Sequence, residues 1–199
     1  MGPEDILPTY ERRAAGFAAH RSRDLFERDW LDRMWAAAPG RRVLDLGCGP
    51  GVPVATYLAG LGAEITGVDG AAAMVALFRQ ALPDAVAMQA DMRGLDLGRR
   101  FDAILAWNSF FHLSATDQRA MFAVFAAHAA PGAALMFTCG PDAGEATGQV
   151  EGEPVYHASL SPEDYEDGLA SAGFRTLDWR PEDPGCAGHS VRLARFTGE

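Results

Sequence analysis

Residues 42–51, with the apolar run 52–61 behind them, constrain the fold more than any other part of this sequence. The first half of the stretch is apolar apart from Asp45, which is typical of a strand buried on both faces of a parallel sheet. Glycines then remove the Cβ atoms where the chain must turn, so backbone N–H groups at a helix start can approach a ligand. The stretch predicts a strand, a ligand-binding turn and a helix. The turn glycines are Gly47, Gly49 and Gly51.

Asp45 separates this turn from a dinucleotide-binding turn. The dinucleotide pattern is G-x-G-x-x-G, whereas residues 47–51 read G-x-G-x-G with a carboxylate two positions ahead. That carboxylate would repel a pyrophosphate and suits the ammonium and sulfonium of a ligand that carries an amino acid. Residues 43–51 resemble motif I of the class I S-adenosylmethionine-dependent methyltransferases at every constrained position. The resemblance implies S-adenosyl-L-methionine as the cofactor and S-adenosyl-L-homocysteine as the product.

Two further carboxylates follow predicted strands. Asp69 ends the second strand beside Gly70 and is placed to accept hydrogen bonds from ribose hydroxyls. Asp91 follows the third strand, and the resemblance implies that it faces the adenine amine while Met92 contacts the ring. Strand ends of a doubly wound sheet share one edge, so these carboxylates are expected in one site.

Three other residues of this region have two interpretations each. Cys48 is a small filler of the turn or a nucleophile, and the filler is preferred. Met74 is a core residue or an adenine contact, and Trp107 is a core residue or a contact near the sulfonium or adenine. The predicted cofactor-binding residues are Asp45, Gly47, Cys48, Gly49, Gly51, Asp69, Gly70, Met74, Asp91, Met92 and Trp107.

The segment after the fourth strand is expected to face the chemistry. His112 follows that strand by one short turn and is the candidate general base, with a loop hydrogen bond as the alternative. Asn108, His157 and His189 are candidate substrate contacts, and no metal site is predicted. Methyltransferases of adenine bases or protein amides carry Asp/Asn-Pro-Pro-Tyr here, and Trp107-Asn108-Ser109-Phe110 departs from it. The departure favours a small-molecule acceptor.

The order of elements predicts an α/β fold: a Rossmann-like, doubly wound, mostly parallel sheet of seven strands with an antiparallel last strand and helices on both faces. We expect one domain over 1–199, with a helical segment at 1–40 and the core at 41–196. The N-terminal segment either packs on the sheet or lies over the ligands as a lid. Ser22 is predicted to cap its second helix, and residues 140–152 to form a glycine-rich loop.

The composition and charge of the chain limit the classes of binding partner and of chemistry. The net charge is −10, which argues against a nucleic-acid surface. The sequence has no lysine, so Schiff-base and P-loop lysine chemistry are excluded. The acidic N-terminus and the short apolar runs predict a cytoplasmic protein with no membrane association. We expect a monomer or homodimer that acts on a small-molecule substrate.

The favoured hypothesis is therefore an S-adenosylmethionine-dependent methyltransferase with a small-molecule acceptor. Two competitors remain: a protein that binds S-adenosylmethionine without catalysis, and an NAD-dependent oxidoreductase, which Asp45 and the glycine spacing disfavour.

Overall fold

A seven-stranded sheet organises the chain in the computed structural model, which describes residues 2–198. Its strands lie in the order β3-β2-β1-β4-β5-β9-β8. They are β1 (Arg42–Leu46), β2 (Glu64–Asp69), β3 (Val86–Gln89), β4 (Phe101–Ala106), β5 (Ala129–Cys139), β8 (Phe174–Asp183) and β9 (His189–Phe196).

The sheet is parallel from β1 to β5, and β9 runs antiparallel to both of its neighbours, β5 and β8. The order reverses between β1 and β4, which is the switch point of a doubly wound sheet. The predicted fold class, including the antiparallel last strand, is confirmed.

Within residues 2–198, six α-helices accompany the strands, and apolar clusters cover both faces of the sheet. In β1, Val43 belongs to one cluster with residues of α2, α3 and α4, while Leu44 and Leu46 belong to the other with residues of α5 and α6. This alternation follows from the pleat of a strand buried on both faces. The helices are α1 (Ile6–His20), α2 (Arg28–Ala37), α3 (Val54–Gly60), α4 (Ala72–Ala81), α5 (Ala115–His128) and α6 (Pro162–Ser171).

The cap predicted at Ser22 is wrong. Helix α2 begins at Arg28, and the Ser22 hydroxyl instead accepts a hydrogen bond of 3.1 Å from the backbone N–H of Asp24. The serine closes a local turn between α1 and α2 because its hydroxyl reaches the nearest free N–H.

The predicted glycine-rich loop is also wrong, because residues 144–159 form a two-stranded hairpin of β6 (Gly144–Val150) and β7 (Glu153–Ser159). Glu151 and Gly152 make its two-residue turn, both with positive φ. Isolated hairpins of this size are marginal in water. This one packs Val150 and Val155 against α1, in a cluster that includes Ile6.

Charged pairs also join the hairpin to α1. Glu153 accepts hydrogen bonds from Arg12 at 2.7 Å and Arg13 at 2.6 Å, and His20 Nδ1 lies 2.9 Å from Glu151 Oε2. These pairs lie on the surface, so apolar packing contributes more to the contact than they do. Among residues 2–198, no helix is both long and apolar enough to cross a membrane.

Candidate functional site

A cavity lies at the carboxyl ends of β1, β2 and β4, beside the switch point. Its floor is the glycine turn after β1, and α1 covers it with Ile6, Leu7, Tyr10 and Phe17. The N-terminal segment therefore lies over this cavity. Every residue predicted to bind the cofactor lines it: Asp45, Gly47, Cys48, Gly49, Gly51, Asp69, Gly70, Met74, Asp91, Met92 and Trp107.

The glycine turn lies close to the cavity because its glycines lack side chains, while three of its N–H groups are already hydrogen-bonded. Gly47 and Cys48 both donate backbone hydrogen bonds to the Val68 carbonyl, at 2.7 and 3.1 Å, and Gly49 donates to Asp69 Oδ2 at 2.9 Å. Residues of β2 therefore take these three turn N–H groups. The approach of N–H groups at the start of the helix to a ligand stays a prediction. At Gly47, where φ is +72°, an added Cβ would overlap the Ser109 side chain.

Asp69 is buried and held by backbone. Its carboxylate accepts hydrogen bonds of 2.9 Å from the N–H groups of Gly49 and Ala71. Burial raises the pKa of Asp69, and these two hydrogen bonds oppose the rise. A carboxylate fixed in this way keeps lone pairs available for hydroxyl donors from a ligand.

Asp45 is the most perturbed carboxyl of the cavity wall. Burial, and then the charge of Asp69, raise the pKa of Asp45 to about 7, while Arg21 opposes the rise. Because a buried carboxylate is costly without a partner, a cation that enters the cavity would stabilise the ionised form.

Asp91 behaves differently from the other two. Its side chain is exposed and forms an ion pair with Arg93 at 2.6 Å, which lowers the pKa of Asp91. Arg93 also lies 3.4 Å from Asp117. The three carboxylates line one cavity, as the sequence predicts, but Asp91 forms an ion pair with Arg93 there. Its contact with an adenine amine stays a prediction.

The residues after β4 are fixed by the neighbouring strands. Asn108 has a φ of +50°, and its N–H donates to Thr138 Oγ1 at 2.8 Å. Ser109 donates its hydroxyl proton to the Leu46 carbonyl at 2.6 Å. Such backbone conformations are costly for residues other than glycine and cluster at functional sites. The segment thereby directs Trp107, Asn108 and His112 into the cavity wall.

His112 is buried and neutral. Its Nδ1 lies 2.8 Å from the Tyr156 carbonyl oxygen, so this nitrogen carries the proton and donates it. Nε2 then accepts the hydroxyl of Tyr10 at 2.9 Å. Burial lowers the pKa of His112 to about 4. The histidine faces the cavity as predicted, but Tyr10 occupies the nitrogen that would take a proton.

His157 and His189 pack against residues of the cavity wall, and their role as substrate contacts stays a prediction. The His157 ring packs against Phe111 and His112, with centroid distances of 4.6 and 4.9 Å. The His189 ring stacks on Trp107 at 5.6 Å and accepts a hydrogen bond of 3.1 Å from the Asn108 amide. Each histidine supports a residue of the wall, because β7 and β9 run behind the segment after β4.

Sequence reasoning missed several residues of the wall, among them Tyr10 and Arg21. Tyr10 and Arg21 lie on or next to α1, far along the chain from the glycine turn. The apolar spacing of Ile6, Tyr10 and Phe17 is compatible with a helix face, but it does not say what that face covers.

Comparison with known proteins agrees with this geometry. Residues 43–132 match a family described as a methyltransferase domain. The match confirms the resemblance seen at residues 43–51, and the domain match extends from β1 into β5.

Two curated relatives of the chain are named as methyltransferases of different small molecules. A dTDP-3-amino-3,4,6-trideoxy-alpha-D-glucopyranose N,N-dimethyltransferase of Streptomyces venezuelae is 32% identical over 157 residues, covering 78% of this chain and 57% of that protein. A trans-aconitate 2-methyltransferase of Escherichia coli is 38% identical over 94 residues, covering 45% of this chain and 35% of that protein. The chain thus spans from about a third to under two thirds of these relatives.

Solved structures share the fold. The DhpI–SAH complex superposes with a TM-score of 0.75 at 22% identity, covering 99% of this chain and 98% of the other. SAM-bound CalS10, an amino pentose methyltransferase from Micromonospora echinaspora, gives 0.71 at 23% identity, covering 92% and 95%. The chain therefore shares the fold of these two structures over nearly its whole length.

Proposed function

We propose that the chain transfers a methyl group from S-adenosylmethionine to an amine nitrogen of a small molecule. The observation that carries the proposal is the single cavity in which Asp45 and Asp69 adjoin a side-chain-free bend at the switch point. When bound, S-adenosylmethionine supplies an activated methyl group, because its sulfonium is its own leaving group. The chain's residues then have to bind, orient and exclude water.

The residues present fit this cofactor. Asp69 is held by backbone N–H groups and offers lone pairs to ribose hydroxyls. Asp45 is buried at the end of β1 and would be stabilised by a cationic group. Met74 and Met92 line the same cavity and offer apolar surface to a base.

The charge of the cavity wall favours an amine over an acidic acceptor. Carboxylates outnumber guanidiniums there, and Arg93 is already paired with Asp91 and Asp117. Excess negative charge repels an acid and attracts an amine. The amino-sugar N,N-dimethyltransferase among the relatives is consistent with this choice. The ionisable wall residues are Glu4, Arg21, Asp45, Asp69, Asp91 and Arg93.

Tyr10 and His112 would act together on the acceptor. His112 Nε2 holds the Tyr10 hydroxyl, so Tyr10 presents an oxygen to the cavity in a fixed orientation. With a pKa of about 4, His112 is a weak base at neutral pH. We therefore assign it mainly to positioning, and any proton that reaches it passes through the Tyr10 hydroxyl.

His112→Ala is expected to slow turnover by about 10- to 100-fold, because loss of the acceptor leaves Tyr10 free to rotate. The affinity for S-adenosylhomocysteine should change much less. Tyr10→Phe should give a similar loss, and the double variant little more, since the two residues act as a unit. Steady-state kinetics with calorimetry measures both effects. Wild-type turnover in His112→Ala would remove this residue from the mechanism.

Asp69→Ala is expected to weaken cofactor binding by about 10- to 100-fold, which is the usual cost of losing hydrogen bonds to a charged group. The fold should persist, because the two N–H groups released lie beside the cavity, where water can reach them. Isothermal calorimetry with S-adenosylhomocysteine measures the affinity, and Asp84→Asn, an exposed carboxyl outside the cavity, is the control. Unchanged affinity in Asp69→Ala would contradict the ribose assignment.

The activity is tested by mixing the protein with S-adenosylmethionine and a panel of small amines. The formation of S-adenosylhomocysteine is then followed by mass spectrometry. Binding without turnover on any amine would favour the non-catalytic alternative. Thermal unfolding separates the cofactors, since a ligand at a hundred times its Kd stabilises by about 2.7 kcal/mol. Stabilisation by NAD and none by S-adenosylmethionine would overturn the proposal.

A further inference from the structure

The indole of Trp107 carries a buried N–H group in the cavity wall that lacks an acceptor. Trp107 lines the cavity and is 6% exposed, and its Nε1 has no hydrogen-bond partner among residues 2–198. A buried donor left unpaired is costly, and an indole nitrogen can only donate. The wall therefore offers one hydrogen bond that a bound molecule can accept.

The side chain that stacks on the indole cannot serve this donor. The His189 ring lies 5.6 Å from the Trp107 ring at an interplanar angle of 21°, and Phe26 stacks on His189 at 5.2 Å. His189 Nδ1 donates to the Cys186 carbonyl at 2.9 Å, and Nε2 accepts the Asn108 amide at 3.1 Å. Both nitrogens of the histidine are therefore engaged, and the stack fixes the plane of the indole.

The strand order places Trp107 on the acceptor side of the cavity. Asp91 follows β3, Asp69 ends β2 and Asp45 lies near the end of β1, whereas Trp107 follows β4 on the other side of β1. The ribose and adenine contacts proposed above extend the cofactor from β1 towards β3, away from β4. The acceptor then occupies the β4 side, where His112 also lines the cavity.

The charge of the wall selects the kind of oxygen that this N–H can meet. Carboxyl groups outnumber guanidiniums there, and Arg21 of the same wall is bonded to the buried Glu27 at 3.3 Å. Excess negative charge disfavours a carboxylate or phosphate on the acceptor, whereas a neutral hydroxyl avoids this repulsion. Resting on the proposed function, we propose that the acceptor is an amino alcohol whose hydroxyl oxygen accepts the hydrogen bond of Trp107 Nε1.

The test compares cyclohexylamine with the aminocyclohexanols that carry a hydroxyl on the second, third or fourth ring carbon. These amines share one carbon skeleton, and the series covers a range of distances between nitrogen and oxygen. With S-adenosylmethionine, the wild-type protein should show a kcat/KM for at least one aminocyclohexanol that is about 10- to 100-fold above that for cyclohexylamine, because cyclohexylamine leaves the buried N–H unpaired. Equal kcat/KM values across the series would overturn the proposal.

Trp107→Phe removes the donor and keeps an aromatic ring beside His189. The preference for the aminocyclohexanol should then fall by about 10- to 100-fold, and the ratio of the two kcat/KM values cancels any general loss of activity. Trp35→Phe makes the same substitution at a partly buried residue outside the cavity, so this control should keep the preference. A preference that survives in Trp107→Phe would overturn the proposal, and a loss of S-adenosylhomocysteine affinity beside it would assign the N–H to the cofactor.

The outcome for the wider panel of small amines separates this proposal from the proposed function. Turnover of amines that lack a hydroxyl, with none of the amino alcohols, would overturn the amino-alcohol assignment and leave amine methylation standing. Turnover of no amine would remove the proposed function, and the amino-alcohol assignment would fail with it.

Discussion

Asp45→Asn is expected to stabilise the empty protein at pH 8 and to remove most of its affinity for the cofactor. The folded-state pKa of about 7 exceeds the unfolded value of about 3.9, so folding takes up a proton between these values. The Asp45 carboxyl therefore opposes folding increasingly as pH rises from about 4 to 7, and fully above 7. At about 1.4 kcal/mol per pKa unit, the penalty at pH 8 is on the order of 4 kcal/mol.

Urea unfolding at pH 5 and pH 8 measures this effect. The stability difference between Asp45→Asn and the wild type should grow by about 3 kcal/mol from pH 5 to pH 8. Asp24→Asn, an exposed carboxyl outside the cavity, is the control and should show no comparable growth. A difference that does not depend on pH would contradict the raised pKa.

The same carboxyl makes cofactor binding depend on pH. An ammonium beside Asp45 favours the ionised form, so binding releases a proton when the pH is below about 7. Wild-type affinity for S-adenosylhomocysteine should fall by up to about tenfold per pH unit below 7, while the Asp45→Asn variant should bind weakly with a flatter profile. Calorimetry in buffers with different ionisation enthalpies detects the proton. A flat wild-type profile between pH 5.5 and 8.5 would show that Asp45 does not meet the ligand's charge.

Gly49→Ala is the second change with a large expected effect: cofactor affinity should fall by about 10- to 100-fold with little loss of fold. The φ of Gly49 is +53°, and nothing lies within 4 Å of an added Cβ, because that Cβ would project into open space beside the cavity. A methyl group placed where the ligand packs costs about 1–3 kcal/mol. The left-handed backbone adds about 1–2 kcal/mol of instability.

Gly94→Ala is a matched control for this prediction. Gly94 has a φ of +64° and an equally open Cβ position, but it does not line the cavity. Both variants should lose similar stability by thermal unfolding, and only Gly49→Ala should lose affinity. Equal affinity in the two would place the ligand elsewhere. Gly47→Ala, whose Cβ would overlap Ser109, should instead destabilise the fold.

The Asp45 carboxyl explains why protein stability and cofactor binding are expected to oppose one another in this cavity. A carboxyl that is nearly uncompensated in the empty cavity is costly to the fold and useful to a cationic ligand. Asp69 carries less of this conflict, because the backbone N–H groups of Gly49 and Ala71 satisfy it without a ligand.

The floor of the site could be predicted from the sequence because its determinants are local. Asp45 lies near the end of β1, Asp69 ends β2 and Asp91 follows β3. Parallel strands bring their carboxyl ends to one edge whatever the rest of the chain does. The glycine pattern at 47–51 likewise fixes a sharp turn by sterics alone. The fold class and these wall residues therefore followed from the motif, the periodicity and the family resemblance.

Only the tertiary structure decided what covers and supports that floor. Tyr10 and Arg21 reach the cavity because α1 packs on α4 and on the β6–β7 hairpin, contacts between segments far apart in sequence. The glycines of residues 140–152 predict a loop because glycine has a low strand propensity, but packing against α1 overrides that propensity and a hairpin forms. The contacts of His157 and His189 have the same cause. Long-range packing sets which face of a strand meets a neighbour, and no local pattern in this sequence records it.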